Sequence, residues 1–270
     1  MLRTATVILV SAAFAIPASA ADPAGRVLDA IGDKRLAAIG LDRKALTEAC
    51  GEAALCVAER VAEADSRARL QAVVAPDTDS IRWVRNRASL GDVAPLPDGR
   101  VRIELRRFGR KLLREFDQAV AELAVGPAWS GGLVLDLRRQ PGGDLGRMLD
   151  LAGRLTGAVE AALRLHDGEA AKPLSIPAPA RRLTLRDLEV WVGPETASSA
   201  EILAALLRRH AGARVLGSRT AGKDYLYRPI RVDRAQLLLL PAERVEVAGE
   251  VIAGGLRPDA ALPAQTAAAP

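Results

Sequence analysis

The chain has 270 residues, of which 49% are hydrophobic and 3% aromatic, and its formal charge at neutral pH is +5. This length suits one enzyme-sized domain with a small appendage, and the apolar content is ample for a core. The excess of basic over acidic residues by itself would favour binding to nucleic acid. However, the sequence has no nucleic-acid-binding motif, and its aromatic residues are not interleaved with its basic ones. We therefore expect an arginine-rich solvated surface and no nucleic-acid partner.

Residues 1–20 have the pattern of a secretory signal peptide. Arg3 provides the positive start, Ala5 to Ile16 is apolar, and Ala18-Ser19-Ala20 forms an A-x-A cleavage site. The apolar part has about 12 residues, whereas a bilayer-spanning helix needs ~20. We therefore expect no membrane span, and export across the inner membrane to a bacterial periplasm.

The region that follows the leader is predicted to be helical. Apolar residues recur with helical spacing from Ala24 to Gln71, which indicates two or three short helices, and prolines and aspartates from Val73 to Pro97 indicate a connector. Cys50 and Cys56 would lie roughly 9 Å apart on one continuous helix, which is too far for a disulfide. Gly51 can break that helix, so the sequence leaves this pairing open.

Strand and helix patterns alternate in the rest of the chain, which indicates a layered α/β core. Strands are predicted at Arg100–Arg107, Leu133–Leu137, Leu188–Val192, Arg214–Gly217, Tyr225–Val232, Leu237–Leu240 and Arg244–Ile252. Helices are predicted at Arg110–Val125, Leu145–Leu155 and Ala200–His210, and a loop at Gly157–Arg182. The predicted organisation is therefore a leader (1–20), a helical region with connector (21–95), a core (96–262) and a disordered tail (263–270).

Two polar residues in the core have the character of a catalytic pair. Ser198 follows a predicted strand and precedes a helix, and Lys223 lies 25 positions later in a T-A-G-K turn. A serine hydroxyl needs a positioned base to become a nucleophile, and a lysine amine can serve only when it is neutral. Only five of the 38 basic residues are lysines, so a lone lysine in a glycine turn is notable. We hypothesise that Ser198 is a nucleophile and Lys223 its general base.

Simpler interpretations exist for both residues. Ser198-Ser199-Ala200-Glu201 fits an S-x-x-E capping box, and a lysine in a turn is commonly solvated. A Ser-His-Asp triad fits poorly, because His166 lies in a predicted loop and His210 ends a helix, where it suits the helix dipole. Motifs for zinc, nucleotides and dinucleotides are absent from the sequence, so no metal and no cofactor are expected.

Three stretches of the core occur in the order of motifs from one enzyme family. Gly131–Gly143 reads G-G-L-V-L-D-L-R-R-Q-P-G-G, Thr196–Ile202 reads T-A-S-S-A-E-I ahead of the T-A-G-K turn, and Gly254–Asp259 reads G-G-L-R-P-D. They resemble the G-L-I-L-D-L-R-x-N-P-G-G, S-A-S-A-S-E-I with T-F-G-K, and G-x-G-V-x-P-D motifs of the carboxyl-terminal processing (tail-specific) peptidases. These are serine–lysine proteases, and the resemblance covers about half the chain.

The resemblance implies a crotonase/Clp-protease-like α/β core with a small helical N-terminal region. It places Ser198 on the nucleophile and Lys223 on the base, with Ser199 as the alternative nucleophile if the alignment shifts by one. Acyl transfer also needs N–H groups aimed at the oxyanion. By resemblance these are the amide of Ser199 and that of Gly142 or Gly143, although the residues alone indicate only a strand-to-helix turn.

The chain departs from the family pattern in two places. The residues before Leu96 are too few and too helical for the usual peptide-binding PDZ module. Tyr227 stands where many members have a glutamine that holds the lysine, and its phenol can also hydrogen-bond an amine. The expected function is a periplasmic serine endopeptidase that cleaves protein or peptide substrates through an acyl-enzyme. The alternative is an inactive peptide- or ligand-binding module, as in the related domains of interphotoreceptor retinoid-binding protein.

Overall fold

A computed structural model of the chain describes residues 22–72, 88–123 and 131–263. The predicted leader and, apart from Pro263, the predicted tail lie outside these residues. No helix in the described ranges combines the length and the apolar character that crossing a membrane would require.

The chain divides into two compact units. The first comprises Met1–Asp79 and Leu226–Ala242, and the second comprises Ser80–Tyr225 and Glu243–Pro270. This division differs from the predicted boundary after residue 95, because the segment 226–242 pairs with a strand of the first unit.

The described part of the first unit begins with four short helices. They are α1 (Pro23–Ile31), α2 (Asp33–Ala38), α3 (Arg43–Cys50) and α4 (Ala54–Ala64). More helices form than the two or three predicted, because glycines with positive φ separate them, Gly32 after α1 and Gly51 after α3. The break at Gly51 brings Cys50 and Cys56 to a Cα–Cα distance of 5.6 Å, and they form a disulfide.

Strands of the first unit complete its apolar core. β1 (Arg69–Ala72) pairs antiparallel with the first residues of a long strand, Gln236–Val247, which is β10 in chain order. The buried side chains of Leu238 and Leu240 join the apolar faces of the helices. The sequence predicted two strands here, Leu237–Leu240 and Arg244–Ile252, but one continuous strand forms, followed by a two-residue strand β11 (Glu250–Val251).

The second unit is built on a five-stranded sheet with helices packed against it. The strands of the whole second unit, in chain order, are β2 (Leu90–Pro95), β3 (Val101–Leu105), β4 (Gly132–Asp136), β5 (Val159–His166), β6 (Ala171–Ile176), β7 (Asp187–Val192) and β8 (Arg214–Gly217). A further strand, β9 (Tyr225–Arg231), begins at the boundary of this unit. Its helices are α5 (Leu112–Leu123), α6 (Leu145–Thr156) and α7 (Ser199–His210). The main sheet has the order β2-β3-β4-β7-β8, and all its neighbours are parallel except β2 and β3. This layered α/β architecture confirms the predicted fold class.

Two predictions for the second unit are wrong. The predicted loop Gly157–Arg182 contains the antiparallel pair β5 and β6, joined through the Asp167-Gly168 turn. Its first strand contains a glutamate and two adjacent alanines, residue types depleted in strands, so the cross-strand partner rather than local propensity decides the structure. The predicted connector contains the edge strand β2, where Pro95 is tolerated because an edge strand needs only one neighbour. Residues 73–87 of that connector lie outside the described ranges.

The parallel strands place the motifs along one edge of the sheet. The segments that follow β3, β4, β7 and β8 all leave from the carboxyl ends of these strands, where open α/β sheets bind their ligands. Every residue of β3 and β4 is buried, and α7 is buried from Ser199 to Leu207. The motif segments are therefore attached to a rigid, fully packed base.

Candidate active site

Ser198 has an unusual backbone conformation at the start of α7. Its φ is 56° and its ψ is −125°, a combination that costs free energy for any residue other than glycine. A serine that only caps a helix takes an extended conformation with negative φ. A strained turn between a strand and a helix is how α/β-hydrolases expose a nucleophilic serine. The backbone of this half-buried residue therefore favours a nucleophile over an ordinary cap.

Glu201 joins the serine turn to the lysine turn. Its Oε2 accepts hydrogen bonds from the Ser198 N–H at 2.7 Å and from the Lys223 N–H at 2.9 Å. Its Oε1 accepts from the Gly222 N–H at 2.7 Å and from the Thr220 hydroxyl. The predicted capping box forms at this turn, and the same buried carboxylate also holds a segment about 20 residues away.

Thr196 adds a second connection between these segments. Its hydroxyl donates to the Leu137 carbonyl oxygen at 2.8 Å and accepts from the Gly193 N–H at 2.9 Å. Its carbonyl oxygen accepts from the Ala221 N–H at 3.0 Å. The ends of β4 and β7 and the lysine turn are therefore hydrogen-bonded through one buried threonine.

The closing G-G-L-R-P-D motif supports the lysine turn from its other side. The Leu256 N–H donates to the Thr220 hydroxyl oxygen at 2.7 Å. Gly222 has a φ of +76°, and a Cβ there would lie 2.6 Å from the Gly255 nitrogen. Backbone therefore packs directly on backbone, which only glycine permits. This explains why the three motifs occur together in the sequence.

The Lys223 side chain itself is exposed, although its backbone is fixed. Its amine makes no hydrogen bond or ion pair with any residue in the described ranges. Tyr227, the residue expected to orient the lysine, belongs to the first unit, where the Arg69 guanidinium lies 4.8 Å from the centre of its ring.

The Pro-Gly-Gly turn lies directly against the serine turn. A Cβ at Gly142, whose φ is +99°, would lie 2.8 Å from the Ser198 Cβ and 3.2 Å from the Ser199 nitrogen. The Gly142 N–H donates to the Gln140 Oε1 at 3.1 Å, so it is already engaged. The amides of Gly143 and Ser199 make no hydrogen bond within the part of the chain that the structure describes, which leaves both available to a ligand.

The Ser199 hydroxyl has a structural partner. It is buried and donates to the Gly143 carbonyl oxygen at 2.8 Å. This hydrogen bond ties the first residue of α7 to the Pro-Gly-Gly turn and orients the peptide that follows Gly143. Of the two adjacent serines, Ser198 therefore carries the hydroxyl that is better placed to react.

His166 has a partner of its own, and His210 lies far from Ser198. The His166 Nε2 lies 2.8 Å from the Glu246 carboxylate. His210 ends α7 and lies about 18 Å from Ser198, as the rise of a 12-residue helix dictates. Burial lowers the pKa of the His210 imidazole.

The sequence did not reveal Glu201, Thr196 and Gln140 as site residues. Glu201 was interpreted only as a capping partner, and its contact with the lysine turn depends on tertiary structure. The one available signal was its position in the motif that carries Ser198. Gln140 stands where the family motif has asparagine, but only the folded structure shows that its side chain accepts a hydrogen bond from the Gly142 N–H.

Comparison with known proteins identifies the family. The model of peptidase family S41 matches residues 101–262, which is more than half of the chain. The chain belongs to peptidase family S41. This confirms the resemblance drawn from the motifs. A search of curated protein sequences finds no match.

Solved structures share the fold at low sequence identity. The photosystem II D1 C-terminal processing protease is 21% identical, with a TM-score of 0.53 over 72% of this chain and 48% of its own. An S41-type protein of Bacteroides fragilis is 20% identical, with a TM-score of 0.53 over 66% and 51%. A lipoprotein from Streptococcus agalactiae is 16% identical, with a TM-score of 0.66 over 94% and 97%. The present chain therefore spans about half the length of the first two of these proteins, and the three likenesses show the fold alone.

Proposed function

We propose that the protein is an exported serine endopeptidase that cleaves peptide bonds through an acyl-enzyme formed on Ser198. The observation that carries this proposal is the strained backbone of Ser198, with Gly142 packed against its Cβ. Such strain persists only where the surroundings over-determine it, and it concentrates at reactive groups.

Each step of the reaction has a candidate group. The neutral Lys223 amine takes the hydroxyl proton while the Ser198 Oγ attacks the scissile carbonyl carbon. The resulting ammonium returns the proton to the leaving amine as the C–N bond breaks. Water then attacks the acyl-enzyme, with Lys223 again as base, and Ser198 is regenerated.

The oxyanion is received by the Ser199 and Gly143 amides. Of the two glycines expected to donate, Gly143 is the better candidate because the Gly142 N–H already donates to Gln140. Two N–H groups free of other hydrogen bonds can be aimed at a developing negative charge without first losing a partner.

The backbone around Lys223 supports its role as the base. One oxygen of Glu201 holds the N–H groups of both Ser198 and Lys223, so the two turns are held together. The amine is exposed in the unliganded protein, and a bound peptide that covers it would exclude water and favour the neutral form.

The exposure of the Lys223 side chain also favours a second candidate function. A base that is not held against the serine hydroxyl cannot take its proton. The protein would then be an inactive peptide- or ligand-binding module on the S41 fold.

The location proposed for the protein is the periplasm. The leader pattern of residues 1–20 indicates export. The Cys50–Cys56 disulfide supports an oxidising compartment, because such bonds are rare where glutathione keeps thiols reduced.

Covalent labelling tests the proposed function. We expect a fluorophosphonate probe to form one adduct, which peptide mass spectrometry places on Ser198 and not on Ser199. The Lys223→Met variant keeps an unbranched side chain, shorter by one atom, but has no base, so its labelling should be lost. No adduct on the wild-type protein, or an adduct that persists in Lys223→Met at the same rate, would exclude the dyad.

Gly142→Ala is expected to slow labelling of Ser198 by roughly 100-fold, because the new Cβ displaces the oxyanion turn. That Cβ would meet the Ala197 carbonyl oxygen at 2.7 Å and the Ser198 Cβ at 2.8 Å. Gly168→Ala is the matched control, since Gly168 has nearly the same φ, +98° against +99°, but nothing within 4 Å of its Cβ position. Equal slowing of labelling in both variants would assign the loss to backbone strain and not to the collision, and no slowing in Gly142→Ala would contradict the role of this turn.

A further inference from the structure

Basic side chains concentrate beside Ser198 at the carboxyl edge of the main sheet. The segment 106–111, which follows β3, reads R-R-F-G-R-K and carries four cations and no acid. The segment that follows β4 adds Arg138 and Arg139. Because β3 and β4 are parallel neighbours, both segments leave the sheet at the same edge.

Some of these cations are neutralised within the fold. Arg106 forms an ion pair with Glu104 at 2.9 Å, and Arg138 forms one with Asp136 at 2.7 Å. The hydrogen bond to Asp136 raises the pKa of the Arg138 guanidinium, as expected for a committed pair. These two arginines therefore contribute little to the potential outside the protein.

Of the other four cations, Arg107 also has an interaction partner. The remaining three form no ion pair, although the charge of Arg139 acts on the Glu104 carboxylate that pairs with Arg106. Arg110 and Arg139 are exposed and Lys111 is half-exposed. Their side chains make no ion pair or hydrogen bond with the residues of 22–72, 88–123 and 131–263. We call Arg110, Lys111 and Arg139 the basic rim.

The basic rim adjoins the oxyanion turn. A Cβ at Gly143 would lie 3.7 Å from the Phe108 ring, so the segment that carries Arg110 and Lys111 packs on the Pro-Gly-Gly turn. The Arg147 guanidinium also donates to the Arg110 carbonyl oxygen at 3.5 Å, which joins this segment to the first turn of α6. The segment that carries Arg110 and Lys111 therefore lies next to the turn that contacts Ser198.

Two carboxylates lie in the same group of loops and oppose the basic rim only in part. Asp144 accepts a hydrogen bond from the Arg147 N–H at 2.9 Å and so caps α6. Glu195 is exposed in the turn before Ser198 and is the one acid there. Asp144 keeps its charge because its donor is a neutral N–H, so three cations lie near two carboxylates and the charge balance at this edge stays positive.

We propose that the basic rim selects polypeptide substrates with acidic side chains close to the scissile bond, an inference that rests on the proposed endopeptidase function. A cleft lined by one sign of charge raises the local concentration of oppositely charged ligands and speeds their association. Like charges placed against the rim are repelled, so peptides rich in lysine or arginine are disfavoured. The effect must weaken with salt because the rim is exposed.

Matched peptides and matched variants test this preference. One fluorogenic peptide carries Asp and Glu around the scissile bond, and its partner carries Asn and Gln at the same positions. The wild-type protein is expected to cleave the acidic peptide with a kcat/KM roughly five- to tenfold higher at low ionic strength, and the ratio should fall towards one in 0.5 M salt. A ratio of one or below at low salt would overturn the proposal.

The double variant Arg110→Gln/Arg139→Gln should reduce that ratio to about two or less. Arg182→Gln/Arg186→Gln is the control, because both arginines are also exposed and their side chains make no ion pair or hydrogen bond with the described residues. They precede β7, at the opposite edge of the sheet. An equal drop in both double variants would assign the effect to net charge and would overturn the role of the rim.

Failure of the inference is distinguishable from failure of the proposed function. Fluorophosphonate labelling of the same preparation reports Ser198 independently of the peptides. The Ser198→Ala variant is also titrated with both peptides, uncleaved, by fluorescence anisotropy. Tighter binding of the acidic peptide, lost in Arg110→Gln/Arg139→Gln, supports the inference even if labelling fails. Tighter binding of single-stranded DNA of equal charge would instead assign the rim to nucleic acid.

Discussion

Ser198→Ala is expected to lower kcat/KM for a peptide substrate by roughly 10⁴- to 10⁶-fold, the loss seen when a serine peptidase loses its nucleophile. Alanine removes the only atom that can form the acyl-enzyme. It leaves intact the Ser198 N–H bond to Glu201 at 2.7 Å, because that donor belongs to the backbone. The variant should therefore fold and unfold as the wild-type protein does, which urea denaturation measures.

Ser199→Ala separates this result from a shift of one residue in the motif alignment. It removes the hydrogen bond to the Gly143 carbonyl oxygen and should cost about 1 kcal/mol of stability. The oxyanion turn loses one anchor, so we expect kcat to fall by about tenfold, far less than for Ser198→Ala. Full inactivity of Ser199→Ala with retained activity of Ser198→Ala would make Ser199 the nucleophile.

Glu201→Gln is expected to have the second largest effect, a loss of at least about 100-fold in kcat/KM. The carboxylate accepts from four donors, namely the N–H groups of Ser198, Gly222 and Lys223 and the Thr220 hydroxyl. An amide has one oxygen, so at least one pair of donors would face its NH₂ group. Two lost hydrogen bonds to a charged acceptor should lower the free energy of unfolding by about 3 kcal/mol.

Glu115→Gln is the matched control for Glu201→Gln. Its carboxylate also accepts backbone hydrogen bonds in the second unit, from the N–H groups of Ser89 at 2.6 Å and Leu90 at 3.4 Å, and it touches no residue of the proposed site. We expect it to lower stability while kcat/KM for a neutral peptide stays within about threefold of the wild type. If Glu201→Gln loses no more activity than Glu115→Gln, then Glu201 has only a structural role.

The elements with strong local patterns were predicted well. The buried run before Ser198 forms β7, the amphipathic segment after Asp144 forms α6, and the S-x-x-E segment opens α7. Their apolar spacing and their capping residues are local properties, so the amino-acid order alone carries them. The family motifs likewise depend on short stretches, and the S41 match confirms what they indicated.

Elements whose stability depends on a distant partner were missed. β5, which contains two adjacent alanines, forms because β6 and β10 flank it, and neither neighbour can be inferred from the strand itself. β2 contains a glycine and ends in proline, yet it forms because β3 offers a free edge. The segment 226–242 was assigned to the core, but its pairing with β1 places it in the first unit.

The amino-acid sequence by itself determined the residue types of the proposed site, their spacing, and the strand–turn–helix frame on which Ser198 lies. Tertiary structure alone decided the strained backbone of Ser198, the engagement of Gly142 by Gln140, and the bridge that Glu201 makes between two turns. The physical reason is the range of the interactions. Helical periodicity and capping act over a few residues, whereas a buried carboxylate that joins backbone N–H groups more than 20 positions apart exists only once the chain has folded.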